Sequence, residues 1–144
     1  MIRDQRPDDR SAVRQLLTDA FGRAEVADLA EQLRELDGPA AQLVAELAGV
    51  IVGQVQLSRS WLDATEELVD VAVLSPLGVR PANQGQGVGS RLVVAAIDRA
   101  EALGQPAVFL EGSPHFYARF GFRPGALVYP DVFWRLDCVG VRSG

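Results

Sequence analysis

The stretch from Leu74 to Phe122 constrains this chain more than any other. An apolar run ending at Val79 leads to the turn Gln84-Gly85-Gln86-Gly87-Val88-Gly89. Apolar residues then recur at helical spacing through Val88, Leu92, Ala96, Ala100 and Leu103. Gly104 reads as the helix stop with Pro106 after it, and Ala107 to Leu110 as a buried strand. Strand, helix and strand of these lengths imply a parallel crossover. Ligands of open α/β sheets lie beyond the carboxyl ends of the strands, here near Val79 and Leu110. A helix start carries unpaired N–H groups and the positive end of a dipole, which suit a phosphate. Glycines let the backbone approach closely. The segment therefore points to a phosphate-bearing ligand gripped by main chain.

The rest of the chain supplies a frame for that unit. Ile2 to Arg6 reads as a short strand, and Pro7-Asp8-Asp9 as a helix start. Val13, Leu16, Leu17, Ala20 and Phe21 give that helix an apolar face. Ala24 to Leu36 repeats the pattern until Asp37-Gly38-Pro39 ends it. Gln42 to Leu47 and Val50 to Leu62 read as a hairpin around Ala48-Gly49. Leu68 to Val79 is the next strand, and Pro76 inside it calls for a bulge or a local loss of pairing. Phe133 to Val141 reads as a returning antiparallel strand.

Composition narrows the function classes. A chain of 144 residues suits one domain spanning 1–144. No apolar run reaches the roughly 18 residues a membrane span needs. The first ten residues are charged and lack a signal-like apolar region, so the expectation is a soluble cytoplasmic protein with no membrane partner. All 14 basic residues are arginine, which excludes a catalytic lysine, a Schiff base and a P-loop lysine. The arginines are scattered, so no basic stripe suggests nucleic acid. The net charge of −5 mildly favours a cationic amine substrate, although solubility explains it as well. One cysteine, Cys138, rules out an intrachain disulfide, and with one histidine it cannot build a usual zinc site, so no metal is expected.

Two motifs carry a resemblance. Gln84, Gly87 and Gly89 fit the pattern Gln/Arg-x-x-Gly-x-Gly/Ala. Phe116-Tyr117-Ala118-Arg119-Phe120-Gly121-Phe122 fits an aromatic-Tyr-x-x-x-Gly-Phe element. In this order they make the chain resemble the GNAT superfamily of acyl-CoA-dependent N-acyltransferases. It looks closest to a bacterial subgroup with a Gly-Asp-Pro-x-Tyr-Tyr-x-Arg-Phe-Gly-Phe-like signature. The resemblance implies an α/β fold: a mixed, mostly antiparallel sheet flanked by helices, with a V-shaped cleft at a parallel strand pair. It places the bulge of the Pro76 strand beside that cleft. It implies acetyl-CoA as co-substrate and transfer of the acetyl group, by direct attack, to a primary amine of a small molecule or peptide.

The resemblance also assigns roles. Backbone N–H groups from Gln86, Gly87, Val88, Gly89 and Ser90 hold the pyrophosphate, with Gln84 and Gly85 completing the turn. The main chain of Leu77, Gly78 and Val79 pairs with the pantetheine amides as an added strand. Val79 N–H polarises the thioester carbonyl. Phe116 and Tyr117 close the cofactor site. Tyr117 protonates the leaving thiolate, a role its phenol suits because a reference pKa of roughly 10 keeps it protonated at neutral pH.

Each reading has a rival. A dinucleotide fingerprint is weaker, since Gly85-x-Gly87-x-x-Ser90 lacks the third glycine and the chain lacks a second mononucleotide half. Tyr117, between Phe116 and Phe120, also suits a core aromatic. Glu111 is the leading candidate base, against a solvated loop carboxylate; Asp70 and Glu67 are weaker, and a water chain needs none of them. His115 suits proton relay, but its place at a helix start suits a capping-region residue better. Leu110 stands where many family members have Asn, and Ser113 where the subgroup often has Asp. Cys138 reads as a buried inert thiol. These departures motivate an alternative of another class, a non-catalytic acyl-CoA-binding sensor. The acceptor is not legible, and the family together with the apolar late strands admits a homodimer.

Overall fold

The alternation and turn signals build a seven-stranded sheet with a helix on each face. The computed structural model describes residues 1–23, 39–63, 68–105, 108–110, 116, 118–120, 123–124 and 133–135. The strands are β1 (Ile2–Asp4), β2 (Pro39–Leu47), β3 (Val50–Asp63), β4 (Leu68–Val79), β5 (Val108–Leu110), β6 (Arg123–Pro124) and β7 (Phe133–Arg135). The helices are α1 (Arg10–Phe21) and α2 (Val88–Ala102). The sheet order is β1-β2-β3-β4-β5-β7-β6. Every pairing is antiparallel except β4 with β5, which are parallel through Ala72↔Val108 and Val73↔Phe109. This is the mixed, mostly antiparallel sheet expected of the chain, with its parallel pair at the crossover through α2.

Several boundaries differ from the sequence expectation. β1 stops at Asp4 rather than Arg6. Pro7–Asp9 forms a 3-10 turn, and the α-helix begins only at Arg10. β2 starts at Pro39, three residues early; proline is tolerated as the first residue of a strand. The expected helix Ala24–Leu36 lies outside the described residues. Beyond β7, so does the tail to Val141.

The β2–β3 hairpin turns on Ala48 (φ 50°) and Gly49 (φ 80°), both left-handed as a two-residue primed turn requires. In the next pair, Val55 faces Leu77 while Leu57 faces Leu74. β4 thus carries one extra residue at Ser75-Pro76, the bulge that Pro76 demanded. An extra residue reverses which side chains share a face. Ala72 and Leu74 before the bulge, and Leu77 and Val79 after it, all pack toward the core beneath α2.

Both faces of the central strands are covered. Beneath α2, Val55, Leu57, Leu74, Leu92, Val93 and Ala96 form an apolar cluster. The buried side of α2 is wider than the single stripe expected, because Val93 and Ile97 join it, while Leu103 at the C-cap is 47% exposed. Gly104 (φ 72°) ends the helix in a Schellman motif, with Gln105 N–H donating to Ala100 O at 3.0 Å. On the opposite face, Val13, Leu16 and Leu17 of α1 pack on Val44. Gln54, Gln56 and Ser58 of β3 also point there and are buried. Side-chain bonds offset part of that burial. Gln42 Nε2 donates to Gln56 Oε1 at 2.9 Å, and Gln54 Nε2 to Gln5 Oε1 at 3.3 Å.

An ion cluster fixes the N-terminal edge. Arg3 donates to Asp9 at 2.7 and 3.1 Å and to Glu46 at 2.9 Å, and Asp9 Oδ2 also accepts the Arg6 N–H at 2.7 Å. Hydrogen bonding from Arg3 lowers the Asp9 pKa below the usual carboxylate range and raises that of Arg3. Arg99 of α2 holds Asp4 of β1 at 2.8 Å, which lowers the Asp4 pKa in the same way.

Candidate active site

The site forms where β4 ends and α2 begins. Arg80 N–H donates to Val52 O at 2.8 Å, the last bond that ties this strand to β3. Successive peptide groups of a strand point to opposite edges. Gly78 therefore points toward β3 like Arg80, and the N–H and C=O of Leu77 and Val79 point away from it. On that side, the pairing of β4 with β5 stops at Val73↔Phe109, before the bulge. Among the described residues, the edge from Leu77 to Val79 has no strand partner. One of its groups is engaged: Val79 O accepts a hydrogen bond from Gln84 Nε2 at 3.0 Å.

Gln84 thus pins the turn to the strand. The chain reaches it through a 3-10 turn at Pro81–Asn83. Gly85 (φ 76°) and Gly87 (φ 84°) then take left-handed conformations that side chains rarely adopt. Gly87 is the N-cap of α2, and no side chain caps it. The first helical bond runs from Arg91 N–H to Gly87 O at 3.1 Å. The N–H groups of Val88, Gly89 and Ser90 precede it and have no acceptor within the helix.

These parts line one cavity of about 530 Å³. Leu77 and Val79 form its strand wall, and Gln84, Gly85, Gly87, Val88, Gly89 and Ser90 its turn and helix start. Phe116 forms a third wall. A Cβ built on Gly89 lies 3.7 Å from both Phe116 Cζ and Val79 Cγ2, so the three walls converge at that residue. Of the other expected residues, Gly78 faces α1 and Gln86 is exposed outside the cavity lining. Tyr117, Glu111, Glu67, His115, Ser113 and Cys138 lie outside the described residues. Asp70 is in β4 opposite Trp61.

Sequence reading missed two lining residues, Asn83 and Arg119. Arg119 Nη2 donates to Ser90 Oγ at 3.0 Å, and its guanidinium carbon lies 4.9 Å from the Phe116 ring centroid. The available signal was its spacing. Arg119 follows Phe116 by three residues, which places both on one side of a helical turn.

The arrangement can hold an elongated ligand. Phosphate suits the amides of a helix start, and a chain with amide groups suits an open strand edge. Added Cβ atoms at Gly85 and Gly87 meet nothing within 4 Å, so the turn leaves its backbone accessible.

Comparison with known proteins identifies the family and fold. A family model described as an acetyltransferase (GNAT) domain matches residues 1–125. The uncharacterised N-acetyltransferase YjhQ of Escherichia coli is 36% identical over 120 residues, covering 82% of this chain and 66% of that protein. The crystal structure of YhbS from Escherichia coli in complex with CoA superposes with a TM-score of 0.86 at 27% identity, covering 97% of this chain and 84% of that one. A GNAT family acetyltransferase from Brucella melitensis, in complex with acetyl-CoA, gives a TM-score of 0.78 at 30% identity, covering 85% and 82%. The cleft at the helix start, the fold and the family match converge: this chain belongs to the GNAT acetyltransferase family.

Proposed function

We propose that the chain transfers an acetyl group from acetyl-CoA to a primary amine of a small molecule or peptide. The observation that carries this reading is the convergence of the α2 amides, the open edge of β4 and Phe116 on one cavity. Its lining fits the cofactor: the glycine turn leaves its main chain approachable, and the edge offers peptide groups at Leu77 and Val79. The N–H groups of Val88, Gly89 and Ser90 would hold the pyrophosphate, and the edge would hold the pantetheine arm. Acetyl-CoA supplies an acyl group already activated as a thioester.

The chain's own groups do the rest. Val79 N–H, turned away from β3, donates to the carbonyl oxygen as negative charge gathers there. Tyr117, covalently next to the cavity-lining Phe116, donates a proton to the departing thiolate. The amine must lose a proton to attack, and Glu111 or a water chain accepts it. Fixing both reactants in one cleft supplies much of the rate.

Thermal unfolding with acetyl-CoA, CoA and NAD at matched excess tests the ligand class. A rise in midpoint with both CoA species and not with NAD supports the reading; a rise with NAD alone withdraws it. Free-thiol release is then measured across an amine panel. Tyr117→Phe is expected to reduce turnover by about a hundredfold while leaving CoA affinity unchanged. Undiminished turnover in that variant removes Tyr117 from the acid role. Tight CoA binding without turnover on any amine would favour a sensor of acyl-CoA.

A further inference from the structure

We infer that Arg119 is a phosphate-binding residue of the cavity, an anion anchor beside the amides of α2. The inference rests on the acyl-CoA reading and adds a residue that the glycine turn does not contain. Four contacts hold the guanidinium in place. Nη2 donates to Ser90 Oγ at 3.0 Å and Nε to the Phe116 carbonyl at 3.4 Å. The guanidinium carbon also lies 4.9 Å from the Phe116 ring centroid and 5.3 Å from that of Phe120. The two rings meet edge-on with centroids 5.4 Å apart, so the platform beneath the arginine is itself packed. A long side chain oriented before its ligand arrives loses less entropy on binding.

The charges around the cavity support the same assignment. Among the described residues, Arg119 meets no carboxylate, whereas Arg3 and Arg99 each pair with at least one. Its neighbour Ser90 lies in the first turn of α2, where the helix dipole is also positive. Two positive groups lining one cavity repel unless an anion sits between them. The chain has 19 acidic residues, yet no described one answers this charge. Among the described residues, Nη1 takes part in neither hydrogen bond of Arg119, which leaves its N–H groups to a ligand. A planar fork can bond Ser90 through one nitrogen and a phosphate through another, which a lysine cannot do. In CoA the fitting anions are the pyrophosphate and the 3′-phosphate.

The test is calorimetric titration of the full chain with CoA and dephospho-CoA, with pantetheine measured by competition. Wild type, Arg119→Met and Arg119→Lys are compared, with unliganded unfolding midpoints recorded for each. R119M is expected to weaken CoA about tenfold and to flatten its salt dependence, with pantetheine affinity unchanged. An equal loss with dephospho-CoA assigns the contact to the pyrophosphate; a loss confined to CoA assigns it to the 3′-phosphate. R119K is expected to keep the salt dependence and recover only part of the affinity, and it carries the test should R119M fail to fold. Wild-type CoA affinity and salt slope in the variants would overturn the anchor and leave the acyl-CoA reading standing. An equal loss for pantetheine would overturn it too, by assigning Arg119 to packing. Absence of CoA binding by the wild type overturns the acyl-CoA reading itself.

Discussion

A Cβ added at Gly53 or Gly78 runs into a helix, whereas one added in the turn before α2 meets almost nothing. At Gly53 it would lie 2.8 Å from Leu92 Cδ1 and 3.0 Å from Val88 Cγ1, and at Gly78 it would lie 2.7 Å from Leu17 Cδ2. These two glycines stand almost side by side on β3 and β4, one beneath each helix. They let α1 and α2 settle close to the sheet. At Gly85 and Gly87 there is nothing within 4 Å, and at Gly89 only ordinary contacts at 3.7 Å. One group of glycines is explained by atoms the protein contains. The other is explained by backbone conformation at Gly85 and Gly87 and, under the proposed function, by room for a ligand. The difference separates glycines that the packing requires from glycines that the proposed cofactor site requires.

Substitutions can break or sharpen that distinction. The largest effect is expected at Gly78→Val, where β-branching meets Leu17 and Phe21 without room to turn. Overpacking there should cost about 3 kcal/mol, read as a lower urea midpoint, and CoA affinity of the folded fraction should hold. Full stability in that variant would mean α1 does not rest on the sheet as described. Gly89→Ala should do the reverse. Its contacts are ordinary and it lies within a helix, so stability should rise by up to about 1 kcal/mol. CoA affinity should fall about tenfold, because the methyl enters the space where phosphate approaches the main chain. Unchanged affinity would move the ligand elsewhere. The smallest effect is expected at the hairpin, where Ala48 adopts φ 50° with no ligand to serve. Ala48→Gly should stabilise by about 0.5 kcal/mol and leave CoA binding untouched. Lost affinity there would break the distinction, by showing that the hairpin and the cavity are not independent.

The turn, α2 and the crossover were legible because their signals are local. A glycine pattern announces the helix start, and 3.6-residue spacing follows it. The bulge was legible too, since a proline inside a strand pattern leaves few alternatives. Burial of Gln54 and Gln56 was not legible. Alternation along β3 suggests a half-exposed strand, yet α1 covers the polar face and the glutamines bond within it. Arg119 was hidden for another reason. An arginine in an aromatic segment looks like any surface arginine until the fold brings Ser90, 29 residues away, within 3.0 Å. The close approach at Gly53 and Gly78 is likewise long-range, since each meets a helix distant in sequence.

The hydrogen bond from Gln84 to Val79 O has a consequence for the protein without its ligand. An open strand edge is a template on which foreign strands can add, and thus a route to aggregation. Among the described residues the open edge is short, bounded by the bulge on one side and by the Gln84 amide on the other. A polypeptide seeking continuous register meets Val79 O already engaged, whereas a slender ligand with only a few amides needs less of the ladder. The side chain that anchors the turn therefore also occupies the last carbonyl of that edge.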